Sequence, residues 1–378
     1  MKIGMLFPLS DVYPSIGFDF MHGLNSFLKE KQSNTPITII KESVGFGGDE
    51  KDNYLKAQKL LISDDVDILI AFLDEKIISI LYPLVQATGK LLIIVNPGAN
   101  YPVNWVAQPT VIRLNLQHAF LCSLTGALAA TNGNGQAALA TSYYDCGYLH
   151  SAAMVNNFLE AGGEIKYNYV NNQAYNESFE INNLTNFLSS DPGCSNLLCV
   201  FDKLPASLFY KLLDSYETKE RLHLFASPMM LQQALENSNT AYGYSIEGYL
   251  SWYEGLENEA NKYFSGKCSG KPTMFSLLGW ETGMIVDEAI QLCGDNGMDG
   301  ERIIEHLKNI TLDSPRGNMK LDGETQFYTA PVTKFRLQAG AVNPELISDI
   351  NIENEWKQFS SKPTEGTVTG WTNTYLCY

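Results

Sequence analysis

Strand-length apolar runs alternate with helix-length amphipathic stretches over the first third of this chain, and that alternation admits few folds. Strand signals fall at Ile3–Phe7, Ile37–Lys41, Asp67–Phe72, Leu91–Val95 and Val111–Leu114. Helix patterns lie between them at Phe18–Lys29, Asn53–Ser63 and Lys76–Ala87. Strands joined through a helix run parallel, because the helix supplies the long return connection. The grammar restarts after Leu114, with strands at Gln136–Thr141, Glu164–Tyr169, Asn196–Phe201 and His223–Ala226. Its helices are expected at Gly147–Ala161, Phe179–Ser189 and Pro205–Tyr216. The fold class is α/β, and 378 residues are too many for one typical core. No Pro/Gly-rich linker divides the two units, so they touch closely.

Past Tyr249 the pattern changes. Helices are expected at Glu257–Phe264, Met274–Leu292 and Glu301–Lys308, a turn-strand-turn signal at Ser314–Gly323, and a last strand at Val332–Leu337. From Ala341 onward the chain reads as a polar, irregular tail on the surface, anchored by Trp356, Trp371 and Tyr375.

Composition narrows the function. Twenty-six basic residues against forty-two acidic ones give a formal charge of −16. Such a field repels nucleic-acid phosphates, and no Lys/Arg cluster offsets it. No stretch reaches the roughly 20 apolar residues of a membrane span. With no leader ahead of the first strand, the chain reads either as cytosolic or as a processed, exported form. Seven cysteines include no Cys-x-x-Cys pair and read as free thiols, although Cys194 and Cys199 could close a short loop. Five scattered histidines give no metal spacing, and the Asp295–Gly300 run reads as an interhelix turn rather than a calcium loop. There is no P-loop, Gly-x-Ser-x-Gly elbow or Gly-x-Gly-x-x-Gly.

The first strand ends in Pro8-Leu9-Ser10, followed by Gly17 and Gly23 within the helix that comes next. Next come Ala57-Gln58-Lys59-Leu60-Leu61 and Asp64-Asp65-Val66-Asp67 before the third strand. Later come Tyr144-Asp145-Cys146-Gly147, Phe158-Leu159-Glu160-Ala161-Gly162-Gly163 and Ser314-Pro315-Arg316-Gly317 through Asp322-Gly323. In this order, from Lys2 to about Leu337, these pieces resemble the type I periplasmic binding proteins, most closely the branched-chain amino-acid-binding receptors of ABC transporters. The resemblance implies two Rossmann-like lobes joined by a three-crossover hinge and closing on a ligand. One lobe would comprise residues 1–117 plus 250–327 and the other 118–249 plus 328–340, with 341–378 as a surface-packed C-terminal extension.

The resemblance also implies a ligand site at the strand ends of the cleft. Its candidates in the first lobe are Ser10, Phe72, Leu73, Asp74, Gly98, Ala99 and Asn100. Relatives commonly carry Ser or Thr in the second and third of these loops, where this chain has Phe72, Leu73, Gly98 and Ala99. Asp202 follows the Asn196–Phe201 strand and is either a ligand partner or a helix N-cap. Phe18, Phe72, Tyr143, Tyr144, Phe201, Tyr249, Trp252 and Trp280 supply rings, of which at least three are expected to line the cleft. Glu281 either faces the cleft or lies on a solvated helix face. No catalytic residue, metal or cofactor is expected.

The implied function is extracytoplasmic capture of an amino acid, or a related acid or amide, for a membrane ABC permease. The alternatives are a ligand sensor of the same fold and, further off, an α/β enzyme.

Overall fold

The computed structural model describes residues 1–31, 35–171, 179–237, 240–268, 270–293, 297–347 and 352–364. Five parallel strands form the first sheet: β1 (Lys2–Phe7), β2 (Thr38–Ser43), β3 (Ile68–Ala71), β4 (Leu91–Asn96) and β5 (Val111–Asn115). Their order is β2-β1-β3-β4-β5. Every residue of β3, β4 and β5 is buried, since helices cover both faces of the sheet. The second sheet repeats that order with β6 (Gln136–Ser142), β7 (Glu164–Asn171), β8 (Asn196–Val200), β9 (His223–Ala226) and β10 (Ser245–Leu250), as β7-β6-β8-β9-β10. A small antiparallel sheet follows, of β11 (Thr311–Ser314), β12 (Gly317–Leu321) and β13 (Tyr328–Thr329). Antiparallel β14 (Thr333–Leu337) and β15 (Glu345–Ile347) then extend the second sheet beyond β10. The chain thus passes between the lobes three times: after β5, after β10 and between β13 and β14.

One device closes the helix layer of each lobe. A Cβ on Gly23, in the Ile16–Lys31 helix, would lie 1.8 Å from the Ser276 carbonyl oxygen of the Met274–Cys293 helix. In the other lobe a Cβ on Gly126 would lie 2.0 Å from the Met154 carbonyl oxygen. These helices approach backbone to backbone, which only glycine permits, so Gly23 has a packing reason for its place near the chain start.

Two buried ion pairs tie the hinge side together. Arg316, in the two-residue turn between β11 and β12, donates to both carboxylate oxygens of Glu281 at 2.8 and 2.9 Å. Both side chains are fully buried. Arg316 also donates to the Asn115 carbonyl at the end of β5, where the first crossing begins. Glu281 is therefore neither a cleft residue nor a solvated one: the Ser-Pro-Arg-Gly turn exists to deliver its partner. Arg113 on β5 pairs likewise with Glu75 at 2.9 Å, donates to the Tyr82 hydroxyl and lies over the Phe327 ring.

One reading of the sequence is corrected, and that of the cysteines as free thiols holds for the described ones. The tail is not irregular throughout, because Glu345–Ile347 form β15 and Ile352–Ser360 a helix whose Trp356 and Phe359 are buried. Trp371 and Tyr375 lie outside the described residues. Cys194 and Cys199 do not pair. Together with Cys122, Cys268 and Cys293 they are buried free thiols. Burial pushes the Cys122 and Cys199 thiols well up, and those of Cys194 and Cys268 to about 11. No helix among the described residues is long and apolar enough to cross a membrane.

Two substitutions test this framework by urea denaturation. Gly23→Ala drives a methyl into a backbone carbonyl and is expected to cost about 2 kcal/mol or more. A midpoint unchanged from wild type would contradict the close helix approach. Glu281→Gln leaves a guanidinium buried without its counter-charge and is expected to cost about 3–5 kcal/mol. Wild-type stability in that variant would show that Arg316 reaches solvent.

Candidate ligand-binding site

The C-terminal strand ends of the two sheets face one another, and their polar groups meet across the seam. After β1 the chain turns at Ser10, whose Oγ accepts from the Tyr13 backbone N–H at 2.9 Å. That turn aims Tyr13 at the other lobe, where its hydroxyl donates to Asp202 Oδ1 at 2.6 Å. The Tyr13 ring stands edge-on against Phe275, with centroids 5.0 Å apart. After β4, Asn96 holds its own loop: its Oδ1 accepts from Gly98 N–H and its Nδ2 donates to the Leu73 carbonyl. Gly98 takes φ +80 there, so a side chain would be strained. Asn100 bridges the lobes, accepting from Leu149 N–H at 2.9 Å and donating to Asp74 at 3.2 Å. The Ala99 carbonyl accepts from His150 N–H. These first-lobe loops therefore bond to each other and to the start of the Leu149–Glu160 helix.

Asp202 does not serve as a side-chain cap. Its backbone occupies the N-cap position of the Lys203–Asp214 helix, with φ −126 and ψ 152, but its side chain makes no capping bond. Instead Oδ1 takes the Tyr13 hydroxyl, and Oδ2 has no hydrogen-bond partner although the residue is only 6% exposed. Burial lifts the Asp202 carboxyl to about 6, against the Tyr13 hydrogen bond and the Lys203 charge, which favour ionisation. Asp145, after β6, is raised well above the usual range by burial and by the charge of Asp202, while Ser142 Oγ donates to it at 2.6 Å. Burial holds the nearby His118 and His150 neutral, with pKa values lowered to about 3. Lys203 has φ +44, and its ammonium lies 4.4 Å from the Tyr13 ring centroid.

Beside this junction is a cavity of about 320 Å³ between the lobes. The first lobe contributes Tyr13, Asp19 and Lys271–Phe275; the second contributes Asp202, Lys203, and Met229, Gln232, Gln233, Leu235 and Glu236 of the Pro228–Glu236 helix, with Trp252 at the second crossing. Trp252 is oriented by an Nε1–H bond to Asn261 Oδ1 at 2.8 Å. The volume sits at the small end of ligand pockets, which run from about 300 to 1,000 Å³. Asp19 is already engaged by Ser15 and Thr273 hydroxyls. Lys271 pairs with Glu236 and Glu254 at the mouth. Asp202 Oδ2 is the buried polar atom of the wall that has no hydrogen-bond partner. Among the described residues no group of His, Cys, Asp and Glu could hold a metal ion.

The candidates from sequence separate into four groups. Asp202 and Trp252 line the cavity. Ser10 and Phe72 stand directly behind it, holding Tyr13 and packing on Phe275. Asp74, Gly98, Ala99 and Asn100 form the interlobe seam. The rest lie elsewhere. Leu73 belongs to the apolar cluster that includes Leu60 and Val85, and Trp280 packs on Phe27 and Phe264 in the first core. Phe18 is 74% exposed and stacks on His22. Tyr143 is exposed and meets Tyr144 edge to face, and Tyr249 packs with Phe120 and Trp356. Phe201 is second-lobe core, stacked on Phe209. Of the eight rings singled out, Trp252 alone lines the cavity, because strand-end aromatics here mostly fill cores. The rings that do line it include Tyr13 and Phe275, which the sequence reading missed. Tyr13 was signalled only by lying three residues after Ser10.

Two like sheets joined by three crossings, with a cavity between the lobes that opens to solvent at their facing strand ends, define a two-lobed α/β protein. The chain belongs to the periplasmic binding protein family, whose model matches residues 1–341. A search among curated proteins finds no match. Among solved structures, the chain is similar to an ABC transporter substrate-binding protein from Sphaerobacter thermophilus at 17% identity, covering 93% of this chain and 99% of that one, with TM-score 0.75. It is similar to a solute-binding protein of an ABC transporter from R. palustris in complex with benzoate at 19% identity, with coverage of 93% and 98% and TM-score 0.67. A leucine-binding protein from Thermotoga maritima matches at 15% identity, with coverage of 94% and 99% and TM-score 0.66.

The buried Asp202 carboxyl makes a stability prediction with a definite sign. Its folded pKa of about 6 exceeds the ordinary 3.8. The protonated group is therefore accommodated below pH 3.8, and that stability is lost as pH rises through 6. Asp202→Asn is expected to stabilise the unliganded protein at pH 7.5 by up to about 3 kcal/mol, with the gain vanishing near pH 4. Urea titrations at both pH values check this; a pH-independent difference would remove burial as the cause.

Proposed function

We propose that this protein is an extracytoplasmic solute-binding protein that closes on a small amphipathic molecule bearing a protonated nitrogen, an amino acid in the first instance, and delivers it to an ABC permease. The observation that carries the ligand class is the unpartnered, buried Asp202 Oδ2 in the cavity wall. An ammonium placed there would gain a charge-assisted hydrogen bond and relieve a buried carboxylate. The wall as a whole has four carboxylates (Asp19, Asp202, Glu236, Glu254) against two ammonium groups (Lys203, Lys271), a balance of 2 − 4 = −2. That balance favours cations and zwitterions over bare carboxylic acids, and Lys203 remains available to a ligand carboxylate. Met229, Trp252, Met274 and Phe275 suit an apolar side chain. Family membership supports export, a permease partner and capture without bond breaking.

The test compares ligands of one frame: phenylalanine, phenethylamine and phenylacetate, alongside leucine and benzoate, by thermal shift and calorimetry. Ligands carrying an ammonium are expected to stabilise the protein at pH 7.5, by about 2.7 kcal/mol at a hundredfold excess over Kd. Their affinity is expected to fall about tenfold per pH unit below about 6, as Asp202 takes up a proton, and to be lost in Asp202→Asn. Tighter binding of the acids, or full affinity in Asp202→Asn, would reject the ammonium assignment. Silence across a broad panel of amino acids, amines, amides and acids would reject solute binding itself.

A further inference from the structure

The family match ends at residue 341, yet the chain that follows is built into both lobes. β15 adds to the second sheet through β14. The Ile352–Ser360 helix then lies against an aromatic cluster that belongs to neither lobe alone. Trp356 meets Trp105 and Phe327 of the first lobe and Phe120 of the second, with centroids 5.4–5.6 Å apart. Phe359 meets Tyr101 and Trp105 of the first lobe at 5.7 and 5.6 Å, and Phe120 of the second at 5.4 Å. Polar ties repeat the division. Trp356 Nε1–H reaches Thr325 Oγ1 and Glu353 pairs with Lys320, both in the first lobe. Lys362 binds Asn157 and Glu160 of the second. The first crossing, between β5 and the His118–Ala130 helix, runs beside this cluster, and Gln117 there takes φ +57.

We propose that β15 and the Ile352–Ser360 helix with Lys362 form a strap across the hinge that favours the closed arrangement of the lobes before ligand arrives. A segment bound to both lobes makes its full contacts in only one relative orientation, and that differential contact biases the equilibrium. The closed arrangement already has its own latch in Tyr13–Asp202 and Asn100–Leu149, and Tyr101, which Phe359 meets, directly follows Asn100, so the strap and the seam act on the same motion. A receptor pre-biased toward closure binds with an apparent Kd reduced in proportion to the competent fraction. This inference concerns the hinge and does not depend on the identity of the ligand.

The test uses the full-length, unliganded protein and small-angle X-ray scattering, with melting curves measured in parallel. Phe359→Ala removes the ring that touches both lobes, and Lys362→Ala with Glu353→Ala cuts the surface ties without opening the core. Wild type is expected to scatter near the compact value for its length, a radius of gyration of about 21 Å. Both variants are expected to shift to a larger radius and a longer maximum dimension while still melting cooperatively. An unchanged radius in a folded variant, whether or not its melting temperature falls, would reduce the segment to ordinary packing and overturn the proposal. Should Phe359→Ala not fold, the double surface variant decides alone.

Discussion

Once two sheets close over each other, each polar group at their strand ends must find a partner inside a buried seam. That requirement organises the middle of this molecule. Ser10 is spent on Tyr13, Asn96 on Gly98 and Leu73, and Asn100 on Asp74 and Leu149. With so much of the seam engaged, what is left over becomes informative. Asp202 is held in place by one oxygen and left open at the other. A group that is costly to bury and only half satisfied lowers the stability of the empty protein, and perturbed groups of that kind cluster at functional sites.

The same accounting explains the charges behind the hinge. Arg113–Glu75 and Arg316–Glu281 are sealed from solvent, and each guanidinium also reaches a second lobe-1 element. Their several directed bonds fix how β5, the β11–β12 turn and the Met274–Cys293 helix sit together. Hydrophobic contact alone, being non-directional, would leave that arrangement looser.

Much of the fold was legible because parallel strands buried on both faces read as continuous apolar runs between amphipathic helices. The elements that escaped lacked that contrast. The His118–Ala130 helix (His-Ala-Phe-Leu-Cys-Ser-Leu-Thr-Gly-Ala-Leu-Ala-Ala) is apolar nearly all round, since it is buried between sheet and helix, and so shows no stripe. β10 carries Glu247 and Gly248 in its centre, and Glu247 is there to meet Lys334 and Arg336 of the neighbouring strand. Pairing across a sheet leaves no local trace. The site was legible as strand-end loops and as Asp202, but not as rings. Trp280 and Tyr249 are as aromatic as Tyr13 and Phe275, and only the packing of distant helices decides which of them meets the cavity.

The five described thiols, all buried and unpaired, have a consequence for how such a chain could be made. The four with raised pKa values remain protonated, and a protonated, inaccessible sulfur neither attacks a disulfide nor is attacked by an oxidant. The folded state of these regions needs no disulfide to hold it together. The native state itself serves as the reductant's substitute, keeping its sulfurs out of exchange chemistry by enclosure, in reducing and oxidising surroundings alike.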